Sequence, residues 1–317
     1  MATASAVTNS FSSPGVLVSE NFADLLNVQF KKIAQSMWEA PMMGLKYFRE
    51  ENSNRAYEKF SHTVDATPVP KSRDIAAMPL LEIRQGFDTT ITPEVFRAAI
   101  LVEERLRETD QFGVINKLMT YLNRATRDTI ELYAARPFNT GFSATVDWVC
   151  GDGMNLFDKA RPYADPAAGT WANEETAGVL SAAAIDTMRQ SFQTNKGHNG
   201  QLRPLTMKTI IIPPALEATA IREMQAAQYP GGNLNDANPI TKYQLGYEVW
   251  PYLTSSTYWF GSTAIDSEYE LIWLWGKRPT FSDYNPNDGD TWGKKVRMVF
   301  ATGCETPPQH LRGNQGA

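Results

Sequence analysis

Residues 55–87 read RAYEKFSHTVDATPVPKSRDIAAMPLLEIRQGF. Two runs within them, RAYEKFSHTV and MPLLEIRQGF, have the make-up of strands, while the DATPVPKSRDIAA between them is rich in proline and charge and shows no core-forming pattern. This predicts a long two-stranded flap with a polar tip that carries Lys71, Arg73 and Asp74. A two-stranded ribbon is marginal alone in water, so the flap needs a surface to lie on. The sequence offers no such surface within a single copy.

Downstream, DTTITPEVFRAAILVEE is strand-like and ends at Glu103 and Glu104. After Thr109 and Asp110, the residues Phe112, Ile115, Met119, Leu122, Thr126, Thr129 and Tyr133 recur at helical spacing. They predict a helix over about 111–136, roughly 39 Å long, that Pro137 ends. Its back carries Lys117, Arg124, Arg127, Asp128 and Glu131, so it is expected to be a strut packed on one side only.

Upstream, residues 1–20 are dominated by Ser, Thr, Ala and Val around Pro14-Gly15 and have no periodicity, as befits an extended arm. From Asn21, Phe22, Leu25, Leu26, Phe30, Ile33 and Met37 mark an amphipathic helix interrupted by Pro41, with a second short helix over Met42 to Glu50.

Beyond residue 140 the local order is α/β. A tight GDGMN turn is followed by a helix around Glu175 to Thr194, the loop NKGHNGQLRP, the strand MKTIII and a helix opening at Pro213-Pro214. The loop YPGGNLNDANPITKY leads to QLGYEVWPYL, then to the strands STYWFGST and ELIWLWG, the latter apolar enough for burial on both faces. KKVRMVFATG alternates and reads as the last strand; the polar tail ETPPQHLRGNQGA is expected to be mobile.

The 317 residues, 42% of them hydrophobic, can bury a substantial core. A net charge of -5 gives no overall attraction to nucleic-acid phosphates. The two cysteines, Cys150 and Cys304, lie far apart in sequence and offer neither a metal knuckle nor a disulfide framework. The N-terminus has no secretory pattern, and no apolar run is long enough to span a membrane. The three histidines, His62, His198 and His310, are isolated and read as surface residues. Gly151-Asp152-Gly153 lacks the context of a phosphate loop, and no nucleophile elbow or metal-binding spacing occurs. The pairs Glu50-Glu51, Glu103-Glu104 and Glu174-Glu175 read as solvated faces or helix starts, and the eight tryptophans as core or subunit contacts in preference to a sugar site. These readings imply no enzyme, no cofactor and no metal.

The order of parts resembles the Hong Kong 97-type fold of tailed-bacteriophage major capsid proteins, a mixed α+β architecture. The stretch Asn155-Leu156-Phe157-Asp158-Lys159-Ala160-Arg161-Pro162 is similar to a signature of Mu-like major head subunits, and LRPLTMKTIIIPPALEATA resembles a second segment of that family. Arg161 stands where the family often has His, so no imidazole role carries over.

The resemblance implies an N-terminal arm (1–20), N-terminal helices (21–54), an E-loop (55–87), and a P-domain strand with its spine helix (88–142). An A-domain (143–268), P-domain return strands (269–304) and a C-terminal tail (305–317) follow. It further implies a virion subunit, assembled in the host cytoplasm, that forms hexamers and pentamers of an icosahedral shell. Such a shell encloses DNA without reading its sequence, has a portal and scaffolding or decoration proteins as partners, and has no membrane. Lys71, Arg73 and Asp74 become candidates for ion pairs with a neighbour's Glu103, Glu104 or helix charges such as Arg124 and Arg127. An encapsulin-like compartment shell is the nearest alternative, and an α/β enzyme a remoter one.

Overall fold

The structure is a computed structural model and describes residues 42–64, 66, 68–72, 78–81, 83–103, 105, 109, 114–143, 150–165, 168–228, 237–263, 270–285 and 291–317. The arm, the helix expected from Asn21, Arg73, Asp74 and Glu104 lie outside the described residues. The strands are β1 (Arg49–Asn52), β2 (Glu58–Thr63), β3 (Gln85–Ile91), β4 (Glu94–Glu103), β5 (Arg161–Pro162), β6 (Thr170–Trp171), β7 (Thr209–Ile212), β8 (Gly246–Val249), β9 (Trp259–Ser262), β10 (Leu271–Tyr284), β11 (Thr291–Cys304) and β12 (Leu311–Asn314). The helices are α1 (Val114–Thr140), α2 (Ala182–Gln193) and α3 (Glu217–Gln225).

One sheet has the order β1-β10-β11-β4, antiparallel except where β1 runs parallel to β10. In β10, Leu271 through Trp275 are all buried, as the apolar run predicts. Alternation sends Leu271, Trp273 and Trp275 to one side, into a core with Tyr47, Phe138 and Phe300. Ile272 and Leu274 point to the other side, where Phe60 and Ile91 of the flap's base cover them.

Helix α1 lies along the first side and runs one turn past its expected end, with Pro137 inside it. A proline so near the C-terminus removes a single backbone bond, and the last turn closes beyond it, with the Thr140 hydroxyl donating to the Arg136 carbonyl at 2.8 Å. Glu131, expected on a solvated back, is buried. Its carboxylate accepts the amides of Met43 and Gly44 (2.8 and 3.0 Å) and the Trp250 indole N–H (3.2 Å). The helix is therefore wrapped on more than one side near its C-terminal end. The second N-terminal helix is only one 3-10 turn, Gly44–Tyr47, and the chain then joins the sheet as β1.

The second sheet, β12-β9-β7-β8, carries α2 and α3 on one face. Ile210 and Ile212 meet Ile185, Met188, Phe192 and Met224 there, while Ile211 turns toward Phe138 and Phe260. Helix α2 begins at Ala182, later than expected, because Ser181 caps it by accepting the Ala184 amide at 3.3 Å.

The tail contradicts its polar reading. Residues 306–314 are buried, and β12 adds antiparallel to β9. Polar residues are stable there because Gln309, His310, Arg312 and Asn314 have hydrogen-bond partners. Arg312 donates to Ala172 O, Glu175 and Asn195; Asn314 donates to Thr176 O. The Glu270 carboxylate accepts the Gln309 and His310 amides at 3.0 and 3.1 Å. A side chain at Gly313 would meet the Phe157 ring at 2.8 Å, so glycine lets this strand pass beneath it.

Candidate intersubunit surfaces

The flap divides into a supported base and a bare limb. Its strands pair as Glu58↔Ile91 through Thr63↔Gln85, so the return strand begins seven residues further on than the run MPLLEIRQGF suggested. Phe60 and Ile91 seal the sheet, Val64 is buried, and the His62 and His198 rings meet edge-on at 4.7 Å. Asn199 donates to Ala66 O at 3.2 Å, and Arg84 lies 3.8 Å from Asp165. The base is thus held by its own molecule, contrary to expectation, because the apolar outer face of β10 requires a cover.

Beyond the base, Met78, Leu80 and Ile83 are 85%, 91% and 68% exposed, and Val69 is 81% exposed. Solvated aliphatic side chains seldom cluster on a monomer unless the cluster is an interaction surface. The sequence reading put the contacts at the charged tip and missed these aliphatics; their density in a segment with no sheet partner was the available signal.

Lys71 is exposed, as are Glu103 at the end of β4 and Arg124 on α1; Arg127 is half-buried near Tyr252 and Asp128. Within one copy Lys71 bonds none of them.

The buried polar groups serve the core. Arg161, fully buried, makes a bidentate pair with Asp152 (Nε–Oδ2 and Nη2–Oδ1, both 3.0 Å). Its Nη1 donates to the carbonyls of Asn155 and Leu156 at 2.6 and 2.9 Å. The two cysteines, remote in sequence, are both buried and free, and burial together with the neighbouring Cys150 raises the Cys304 thiol well above its ordinary range. His198 and His310 are buried, not on the surface. Burial, then His62 and the Arg203 and Arg161 cations, push His198 down to about 3. Burial pushes Glu270 up to about 8.

A cleft of about 270 Å³ between the flap base, β11 and the end of α1 is lined by Thr89, Glu94, Phe96, Tyr133, Arg136 and Phe300 among others, with no imidazole or thiol. Among the described residues no cluster of His, Cys, Asp and Glu could hold a metal, and no helix is long and apolar enough to cross a membrane.

Residues 87–309 match the family described as phage capsid protein. The chain belongs to this family. The capsid protein's fold is similar to that in the procapsid of bacteriophage JBD30, at 15% identity and a TM-score of 0.51 over 94% of this chain and 76% of that one. A structure from Mycobacterium phage Bobi aligns at 12% identity and a TM-score of 0.53 over 86% and 90% of the two chains. The capsid of cyanophage P-SCSP1u aligns at 7% identity and 0.57 over 87% and 88%. No curated protein matches the sequence. The expectation of a tailed-phage major capsid protein with the Hong Kong 97-type α+β fold is borne out, and the phage shell is favoured over the encapsulin-like alternative.

Proposed function

We propose that copies of this capsid protein join into hexamers and pentamers of an icosahedral shell that encloses the DNA genome without reading its sequence. One observation carries the reading: Val69, Met78, Leu80 and Ile83 on the limb of the flap stand exposed among the described residues of the single copy. Full burial of each such side chain is worth about 1.5–3 kcal/mol, so laying the limb across a neighbour supplies stability that the isolated subunit lacks. The exposed Lys71, with Arg73 and Asp74, adds ion pairs to a neighbour's Glu103, Glu104, Arg124 or Arg127; each exposed pair is worth only up to about 1 kcal/mol, which matters through repetition.

In this scheme residues 1–20 are an arm, 21–54 the N-terminal helices, 55–87 the E-loop, 88–142 the P-domain strand and spine helix, 143–268 the A-domain and 269–304 the P-domain return strands. Residues 305–317, read from sequence as a free tail, instead complete the A-domain sheet. The role is architectural, with no catalytic step. Assembly takes place in the host cytoplasm, with a portal and with scaffolding or decoration proteins.

Electron microscopy and sedimentation of the purified chain test this. Uniform closed particles with sixfold and fivefold capsomers are expected, and monomers alone under all assembly conditions, partners included, would refute it. Lys71→Glu with Arg73→Glu should lower particle yield with unchanged circular dichroism. Normal yield would remove these two residues from the interface.

A further inference from the structure

Among the described residues, the outer face of the first sheet is covered at Ile272 and Leu274, where Phe60 and Ile91 pack, and exposed toward its other end. Ladder register places four rows across β10, β11 and β4 beyond the flap base: Lys277-Val299-Val95, Thr280-Arg297-Arg97, Ser282-Lys295-Ala99 and Tyr284-Gly293-Leu101. Val95 and Leu101 are 55% and 50% exposed, and Lys277, Lys295, Arg97 and Arg297 are all exposed. Arg297 stands directly opposite Arg97, and like charges in that position destabilise a sheet. None of the four cations bonds a carboxylate among the described residues; Lys295 only lies over the Tyr284 ring at 5.4 Å. Among the described residues β4 pairs with β11 alone, so its outer edge there keeps unpaired backbone groups.

We infer that this face and the β4 edge receive the N-terminal segment of a second copy, added as a strand with Glu20 set against Arg97 and Arg297. The inference rests on the shell reading above and names the acceptor of the arm. Residues 1–30 contain no Lys, Arg or His and carry Glu20 and Asp24. They include Val16-Leu17-Val18, and alternation puts Val16, Val18 and Glu20 on one side of an extended strand. An antiparallel register that sets Glu20 against Arg97 sets Val18 against Ala99 and Val16 against Leu101. Acid then meets the facing arginines, aliphatic meets aliphatic, and the arm's backbone completes the edge. Nucleic acid fits less well: the exposed Val95 and Leu101 on β4, the strand that borders the edge, offer phosphate nothing, and the chain's net charge is -5.

Charge exchange in the full-length chain tests the pairing. Arg97→Glu with Arg297→Glu should cut particle yield by about tenfold or more, the factor for each 1.4 kcal/mol lost. Glu20→Arg with Asp24→Arg should do the same, and the four changes together should restore yield. Arg97→Gln with Arg297→Gln, which adds no new charge, should give an intermediate loss, and thermal melting of each unassembled variant checks that the subunit still folds. Undiminished particles from the arginine reversal, or losses that the combined variant does not rescue, would overturn the inference. Normal assembly with reduced DNA retention would also overturn it, in favour of a nucleic-acid face. If the wild-type chain forms no particles, the shell reading itself fails, which separates the two failures.

Discussion

Replacing Arg161 by methionine should remove a large share of the subunit's stability. The side chains of Arg161 and Asp152 are both completely buried and meet through two parallel hydrogen bonds, and the same guanidinium satisfies two backbone carbonyls. Methionine keeps the bulk of the stem but strands the Asp152 carboxylate without a counter-ion, and breaking a buried pair from one side costs about 3–5 kcal/mol. Folded domains have only about 5–15 kcal/mol in total, so the variant should be marginal at room temperature. Urea unfolding followed by tryptophan fluorescence on unassembled protein gives the number, with an unchanged slope confirming that the same surface is exposed. Arg161→Met combined with Asp152→Asn removes the stranded charge and should recover part of the loss, because a neutral unpaired group costs about 1–3 kcal/mol. Arg161→Met within about 1 kcal/mol of wild type, or a double variant less stable than Arg161→Met alone, would refute the assignment of the pair as a core support.

The bare limb gives a contrasting prediction: Leu80→Ser with Ile83→Ser should leave the unassembled subunit within about 0.5 kcal/mol of wild type, as for exposed sites generally, and should abolish or strongly reduce particles in sedimentation. A destabilised subunit would show instead that the limb is packed within its own copy. Glu270 gives a pH dependence. Its folded pKa, about 8, lies above the ordinary 4.5, so its contribution to stability is complete below the unfolded value and is lost as pH rises through the folded one. Once the intrinsic base catalysis of exchange is divided out, protection of the amides of residues 305–314 should therefore fall between about pH 4.5 and about pH 8, and Glu270→Gln should flatten that change. An equally steep profile in the glutamine variant would rule Glu270 out as its source.

What the sequence made legible was decided by periodicity. Helix α1, the all-buried start of β10 and the alternating β11 were each readable from their apolar spacing, because one face or both meet a core whatever the partner. The C-terminal strand was not readable. Gln309, His310, Arg312 and Asn314 are buried only because Glu270, Asn195, Glu175 and the carbonyls of Ala172, Thr176 and Lys196 wait for them, and those partners come from distant parts of the chain. The flap was half readable. Its first strand and the exposed Lys71 followed from composition, whereas the place of the return strand, the His62–His198 contact and the cover of Ile272 by Phe60 and Ile91 depend on topology. Glu131 misled for the same reason, since a carboxylate on a helix back is expected in water unless a separate turn presents two amides and an indole to it.

The register that joins Glu103 to Thr291 and Arg49 to Ile272 has a temporal meaning during synthesis. A ribosome releases the flap and β4 long before the strands that will flank them, and contacts so remote in sequence close slowly. For that interval the nascent polypeptide displays Leu80, Ile83 and an unpaired strand edge with no finished subunit behind them, the condition under which chains stick to one another wrongly. Folding of this protein in the cell is therefore a race between translation and premature association. A holdase that shields residues 78–103 until β11 has emerged would raise the yield of assembly-competent subunits.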